Sequence, residues 1–545
     1  MSDTERIKAE IENMTGIPFE DVFSWRDNHY DIATEVSQKF TGYIKKADKI
    51  AILGDYDCDG IMASCIALKS IEDIFNGEKD VTVKIPKRRE GYGLNKRIID
   101  ECIDEGIDLV ITVDTGITAK QLIQQLKDAG IKVLLTDHHE FPDKLNLPKA
   151  NMVINPSVSY IHNPLSGGEY CGAGVIYKLF EPQLSVDATR YCKCLAGIAS
   201  IADVITMKEA TWQLTNQALT LIRAGYAPEA INMLLKGLKQ EPKYTYEDTI
   251  GFYLAPAINA PGRLMDNGAD IVLDFILNPT KEKVNQLVEI NNTRRTIRDS
   301  ETALVKANIE LEGLQYDEPI VVYTPALHSG IVGLIAGGLA EEYKTSVIIL
   351  TDTLDGNISG SCRSYGDFNI YEFLKKNEEH LLKFGGHEKA AGLTTTMTGL
   401  AKIKENVGTI RQHDIDDLDD SKSIYIEQSD IKDTCKLLAK IRPFGEGFTE
   451  PDFRTEIDLT HSAYTFMGAN KNHLSITDGN IKFPGYKIVH FNHLPNTLHN
   501  QNNFIAIGKI HSAYFAGKTY PEFGVDVVKD IDKDNDYDNL EQAIG

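Results

Sequence analysis

The sequence predicts an α/β protein in which two α/β domains are joined by a long helix and followed by a small β-barrel. Short apolar runs alternate with helically spaced stretches over 49–137 and again over 319–394, the pattern of strands and covering helices. Between them lies one long charged stretch, 281–311, read as a connecting helix ending near Gly313. From about residue 450 helical periodicity is lost, and short strand-like runs separated by Gly, Asn and Pro take over.

In order, KIAILG (49–54) is a strand ending in a glycine and an aspartate-rich turn, and IMASCIALKSIEDIF (61–75) a helix. VTVKIP (81–86) is a strand, and RIIDECIDEG (97–106) a helix stopped by Gly106. LVITVD (109–114), KQLIQQLKDAG (120–130) and KVLLTD (132–137) continue as strand, helix, strand. Asp55, Asp57, Asp59, Asp114, Asp137, His138 and His139 all follow the carboxyl ends of these strands, the edge where open α/β sheets bind ligands. Residues 170–310 read as mainly helical. A second α/β unit starts at PIVVYT (319–324) and holds GIVGLIAGGLAEEY, SVIIL, GSCRS (360–364) and FGGHEKAAGLT (384–394). The expected division is a first domain with a helical extension (1–280), a connecting helix (281–312) and a second domain (313–412). A linker (413–449), a barrel (450–530) and an acidic tail (531–545) complete it.

At 545 residues the chain exceeds a single hydrophobic core. No apolar run approaches the roughly 20 residues that cross a bilayer, and MSDTERIKAEIENM has no signal-peptide core. The eight cysteines are scattered without zinc-type spacing, as reduced thiols of a cytoplasmic protein would be. The net charge of −23 argues mildly against a nucleic-acid partner. However, HDIDDLDD (413–420) reads as an acidic linker, DVVKDIDKDNDYDNLEQ (526–542) reads as an acidic tail, and clustered carboxylates add more. Local charge therefore decides.

The sharpest chemical signal is GDYDCDG (54–60), where Asp55, Asp57 and Asp59 crowd a turn and offer hard oxygen ligands suited to Mg²⁺ or Mn²⁺. A calcium loop of the EF-hand type is disfavoured, since its twelfth position is Ile66 rather than glutamate. Alone, the loop leaves catalysis and a solvated acidic turn equally open. Asp114, in VDTG, ends an apolar strand where an acid is costly without a partner; a helix cap is its ordinary alternative. Asp137, His138 and His139 follow another apolar run, against the alternative of a capping aspartate with surface histidines. Asp203, in ASIADVIT, is either a buried cation ligand or an exposed helix end. Together these positions could hold two ions sharing a carboxylate, about 3.5–4 Å apart, for metal-assisted hydrolysis of a phosphate ester. The histidine makes a mixed site that suits Mn²⁺, with Mg²⁺ as the alternative.

GDYDCDG, VDTG, DHH and ADVI, in this order, resemble the four motifs of the DHH phosphoesterase superfamily. Within it, INAPGR (258–263), HSGIVGLIAGGLAEEY (328–343), GSCRS, KFGGHEKAAGL and RPFGEGFTEPDF (442–453) are similar to the RecJ family of single-strand-specific 5′→3′ exonucleases. The resemblance implies a DHH domain, a DHH-associated domain and a terminal oligonucleotide-binding (OB) barrel. It implies that Asp55 and Asp57 hold one metal, that Asp59, His138 and Asp203 hold the other, and that Asp114 bridges them, with Asp137 and His139 in the catalytic motif. His139 would lie by the scissile phosphate and assist the leaving group. Arg263, Ser361 and Arg363, within motifs that also carry Asn259 and Ser364, would grip a 5′-phosphate; Gly385, Gly386 and His387 would approach other phosphates, and His328 would line the same cleft. Arginine forks and glycine backbones suit phosphate, although surface ion pairs and a plain turn are the ordinary alternatives. Tyr92 could stack on a base or pack in the core, and KRR (87–89) supplies local positive charge. The chain departs from the family in having Leu327 where a tryptophan is common.

The expectation is a two-metal exonuclease, preferring Mn²⁺, that degrades single-stranded DNA from the 5′ end to mononucleotides in repair and recombination. It is expected to act as a cytoplasmic monomer without membrane association, with a single-strand-binding protein or a helicase as candidate partners. Two alternatives remain: a phosphodiesterase of oligoribonucleotides or cyclic dinucleotides, and an inactive strand-binding relative. Residues 450–545 argue against the first, and the complete set of acids argues against the second.

Overall fold

The fold is that of a computed structural model, which describes residues 3–141, 146–157, 165, 169–353, 355–409, 423–458, 463–467, 473–477, 485–490, 503–515 and 518–530. The first sheet has five parallel strands: β1 (Lys49–Leu53), β2 (Asp80–Lys84), β3 (Leu109–Thr112), β4 (Lys132–Thr136) and β5 (Met152–Ile154). Their order is β2-β1-β3-β4-β5. Strands covered on both faces read as unbroken apolar runs, and side chains two apart share a face. Ile50, Ile52, Ile111 and Leu134 accordingly enter one core. Ala51, Leu53, Val110 and Val133 enter the other. Full burial of each isoleucine, leucine or valine among them contributes about 1.5–3 kcal/mol. Helix Cys58–Ile74 covers the first face, and helices Lys96–Asp104 and Lys120–Asp128 the second.

A layer of helices extends the first core, including Gly172–Phe180, Val186–Ala202 and Glu209–Arg223. Helix Lys281–Glu312 runs 32 residues, about 48 Å. Thr280 caps its first turn and Gly313, at φ 72°, ends it in the left-handed conformation that glycine adopts without penalty. It leads to a five-stranded sheet in which Ile320–Tyr323 and Val347–Asp352 run parallel. Ile358–Arg363, Ala390–Thr395 and Leu381–Gly386 then pair antiparallel in turn.

The C-terminal unit is a seven-stranded mixed sheet that begins earlier than the sequence suggests. Residues 423–449, expected within the linker, supply strand Ser423–Tyr425 and helix Ile431–Ile441. The buried face of that helix (Ile431, Cys435, Leu438, Ile441) has helical spacing, a signal masked in the sequence by the acidic run before it. At the other end, 526–530, counted in the acidic run 526–542 but within the expected barrel, finish strand Lys518–Asp530. The acidic run 413–420 and residues 531–545 lie outside the described residues.

Residues from both ends of the chain share one core. Ile7, Ile11, Phe19, Val22 and Trp25 pack with Trp212 and with Ile424, Leu438, Phe448, Phe453 and Phe504. Trp25 meets Trp212 and Phe448 edge to face, 6.1 and 5.9 Å between ring centres, and Trp212 Nε1 donates to Ile441 O. Buried Arg442 is clasped by Glu247 and Glu450 at the same junction. All eight cysteines are buried free thiols. Among the described residues no helix is long and apolar enough to cross a membrane.

Candidate active site

The carboxyl edge of β1, β3 and β4 gathers the acids and histidines. After β1 the chain turns sharply into helix Cys58–Ile74, and Asp57 caps that helix by accepting from Gly60 N at 3.0 Å. Any side chain on Gly60 would meet the backbone of Asp55 at 2.6 Å, so the turn requires glycine there. Asp59 then points back to helix Gly172–Phe180, whose first amides, Gly172 N and Ala173 N, donate to its two oxygens at 2.6 and 2.8 Å. A helix N-terminus favours such an anion. After β3, Asp114 takes a positive φ of 60° that turns its carboxyl inward. After β4, Asp137 accepts from Ile117 N, His138 N, His139 N and His139 Nδ1.

His138 is the hub. Its Nε2 lies 3.1 Å from Asp114 Oδ1, 3.4 Å from Asp203 Oδ2 and 3.8 Å from Asp59 Oδ2. Two clusters have ligand spacing: Asp59, His138 and Asp203, and Asp114, His138 and His139. The first is the set expected for one ion. Asp55 and Asp57 flank these clusters without joining either. Asp55 Oδ2, Asp114 Oδ1 and His138 Nε2 are buried without a hydrogen-bond partner, a state that native folds avoid unless something else satisfies the atoms.

The electrostatics are those of crowded anions. Burial, then the charge of Asp57, raises Asp55 to about 8. Burial, then Asp59, raises Asp203 to about 8 and Asp114 well above the carboxylate range. Burial also lowers His138. His139 behaves oppositely: burial disfavours its charge, but the hydrogen bond and charge of Asp137 raise it to about 9. Asp137 is held below its ordinary value by that bond, against its burial. Asp137 Oδ1 thus holds the ring and backbone of His139, while Oδ2 is taken by Ile117 N. Tyr92 closes this side, with its hydroxyl 2.9 Å from His139 Nε2 and its ring edge-on to Tyr56.

A second feature adjoins the acids. Arg88, Arg263 and Arg363, with Ser329, Gly330 and Ser361, line a cavity of about 270 Å³ whose lining, among the described residues, holds no carboxylate. Arg363 is braced by Ser361 Oγ and Cys362 O at 2.9 and 2.8 Å. Burial, then the charge of Arg88, lowers Arg263. Such unpaired guanidinium forks suit a phosphate.

Other expected contacts fall elsewhere. Asn259 Oδ1 holds Cys58 N at 2.8 Å, bracing the aspartate loop rather than facing the cavity. Ser364 donates to Glu388 O and accepts from Ile370 N, both within its own domain. His328 Nδ1 accepts from Gly330 N, beside the cavity. Gly385, Gly386 and His387 form an exposed rim, with His387 4.0 Å from Glu140. Sequence reasoning missed Gly172 and Ala173, and took Arg88 only as part of a basic triplet without placing it in the cavity. The run of small residues in CGAG at a helix start and the KRR triplet were the available signals.

Comparison with known proteins agrees with this geometry. The chain matches the DHH family N-terminal domain over 49–207, the DHHA1 domain over 317–412 and the RecJ OB domain over 424–526. The chain belongs to the RecJ family of DHH phosphoesterases. The single-stranded-DNA-specific exonuclease RecJ of Haemophilus influenzae is 28% identical over 459 residues, 78% of each chain. The fold is that of Thermus thermophilus RecJ in complex with Mn²⁺, with TM-score 0.73, 21% identity and coverage of 95% of this chain and 75% of that one. An exonuclease RecJ bound to manganese is 26% identical at TM-score 0.56, over 68% of this chain and 92% of that one.

Proposed function

We propose that this RecJ-family chain is a metal-dependent exonuclease that removes mononucleotides from the 5′ end of single-stranded DNA during repair or recombination. The observation that carries the reading is the adjacency of the acid cluster and the arginine-lined cavity: one suits cations, the other a terminal phosphate. The buried oxygens and nitrogen left without partners fit divalent cations, since carboxylate and imidazole are ligands for Mn²⁺ or Mg²⁺. Asp59, His138 and Asp203 would hold one ion; Asp55 and Asp57 would hold the other, with Asp114 shared. When bound, such a pair lowers the pKa of a water and offsets charge on the scissile phosphate.

The chain's own residues do the rest. Arg263 and Arg363, with Arg88, bind the 5′-phosphate and set which bond meets the acids, so polarity follows from position. His139, kept charged by Asp137, donates a proton to the departing 3′-oxygen. Tyr92 fixes the second ring nitrogen of His139. Gly172 and Ala173 hold Asp59 at its working angle. We assign 1–280 to catalysis, 281–312 to the spacer, 313–412 to grip of the strand end and the C-terminal sheet to the strand beyond. Incubation with 5′- and 3′-labelled strands and Mn²⁺ tests the reading: early release of the 5′ label as mononucleotide is expected, and no release sinks it.

A further inference from the structure

One group of exposed side chains has no part in this chemistry. Residues Ile250–Leu254 form a wide π-type turn before helix Ala255–Leu264, a distortion that concentrates at functional sites. Ile250 and Leu254 are buried, whereas Phe252 is 71% and Tyr253 41% exposed. Phe252 is the most exposed aromatic ring among the described residues.

Its position is informative. Gly251 lies against Ile201, where a β-carbon would be 3.9 Å from Ile201 Cγ2. Ile201 begins the turn that carries Asp203, closed by Val204 N to Ile201 O and Ile205 N to Ser200 O, each 3.2 Å. Val204 is itself 64% exposed and sits at φ 55°, rare for a β-branched residue. At the other end of the segment, Glu247 clasps Arg442 at the start of the C-terminal unit. The exposed aromatic pair and Val204 therefore sit on adjoining segments, an apolar shelf tied on one side to the Asp203 turn and on the other, through Glu247, to Arg442. Lys208, exposed on the same loop and with no ion pair among the described residues, adds positive charge.

Helix Ala255–Leu264 runs from this segment past Asn259, which holds the aspartate loop, to Arg263 in the arginine cavity, so the segment and the cavity lie at opposite ends of one helix. If the cavity holds the 5′-phosphate, what reaches the shelf is the strand on the 3′ side of the scissile bond. Unpaired bases offer flat apolar faces that stack on exposed rings irrespective of sequence, and paired bases do not. We propose that Phe252 and Tyr253, with Val204, form a stacking platform for unpaired bases just 3′ of the cleavage site. The platform rests on the single-strand exonuclease reading and adds to it a means of rejecting duplex.

The test uses the full chain, EDTA and 5′-phosphorylated oligonucleotides in which one base at a time is replaced by an abasic residue. Wild type should bind the intact strand and lose about tenfold in affinity when one position near the 5′ end lacks its base. The Phe252→Ala/Tyr253→Ala double variant should bind the intact strand about tenfold more weakly and be indifferent to that position. Phe252→Trp, which keeps a stacking face, should bind like wild type, with indole fluorescence quenched by the strand. An unchanged abasic profile in the double variant overturns the platform. Lost self-association with unaltered strand binding also overturns it, assigning the shelf to a second copy of the chain. If wild type neither binds nor cleaves single strands, the functional reading itself fails; if wild type does both and the variants match it, only the platform falls.

Discussion

Gly172 lies so close to Asp114 that a β-carbon on it would be 2.3 Å from the aspartate's own β-carbon. The same residue donates its N–H to Asp59, so one glycine sets the distance between two candidate metal ligands. Gly172→Ala must push helix Gly172–Phe180 away from the sheet. Loss of such a supporting contact costs about 10–100-fold in metal affinity. Titration calorimetry with Mn²⁺ should show that loss while circular dichroism stays unchanged; wild-type affinity would refute the claim.

Asp137→Asn should leave the acid cluster in place and disturb His139. The carboxylate raises His139 to about 9, so without it the imidazole loses its proton at lower pH. If His139 acts as an acid, the alkaline limb of the kcat profile moves to lower pH, and kcat at pH 8 falls about 100-fold. A limb that stays in place would show that His139 does not supply the proton.

Asp114 is buried with its pKa raised well above its unfolded value, so the metal-free fold binds its proton more tightly than the unfolded chain does. Its penalty is absent at low pH and grows as pH rises above the unfolded value. In EDTA at pH 8, Asp114→Asn should therefore raise the urea midpoint, with little effect near pH 4. Saturating Mn²⁺ should reverse the order, because wild type, with Asp114 to share between the ions, gains more from them. Activity should be lost throughout.

Arg363→Ala should cost tenfold or more in kcat/KM on 5′-phosphorylated strands and little on strands with a free 5′-hydroxyl. Arg363→Lys should recover only part, since a lysine lacks the planar fork braced by Ser361 and Cys362. Equal losses on both substrates would move the 5′-phosphate out of the arginine cavity.

Glu450 offers a pH test away from the active site. Burial raises it to about 7 from 4.5, although Arg442 opposes the shift. Between these values the folded chain keeps a proton that the unfolded chain has released, so stability falls as pH rises, by up to about 3 kcal/mol. Glu450→Gln should flatten that fall in a series of melting curves from pH 5 to 8. An unchanged slope would assign the titration to another group.

The strand and helix positions of the first sheet were legible because doubly covered strands and amphipathic helices leave unlike patterns, and the edge that follows the strands announced the acids. What escaped has a common cause. Gly172, Ala173 and Ile117 act through backbone amides, which the sequence marks at most by the small residues of CGAG at a helix start. Asp137 and His139 look equally reactive as letters; only the bonds around Asp137 show that its oxygens are already spent. Helix Ile431–Ile441 was hidden by the charge of its neighbours rather than by its own pattern.

The core shared by the two ends of the chain has a consequence during synthesis. Arg6 Nη1 donates to Tyr425 O, 419 residues onward. At 5–20 residues per second, the helices holding Ile7, Ile11, Phe19 and Trp25 leave the ribosome roughly 20 to 80 seconds before those partners exist. For that interval the faces that await residues 424–525 have at most Met207 and Trp212 of that core to pack on, so the nascent chain carries uncovered apolar surface. A barrel exchanged from a relative would have to match these helices before it could match the catalytic domain.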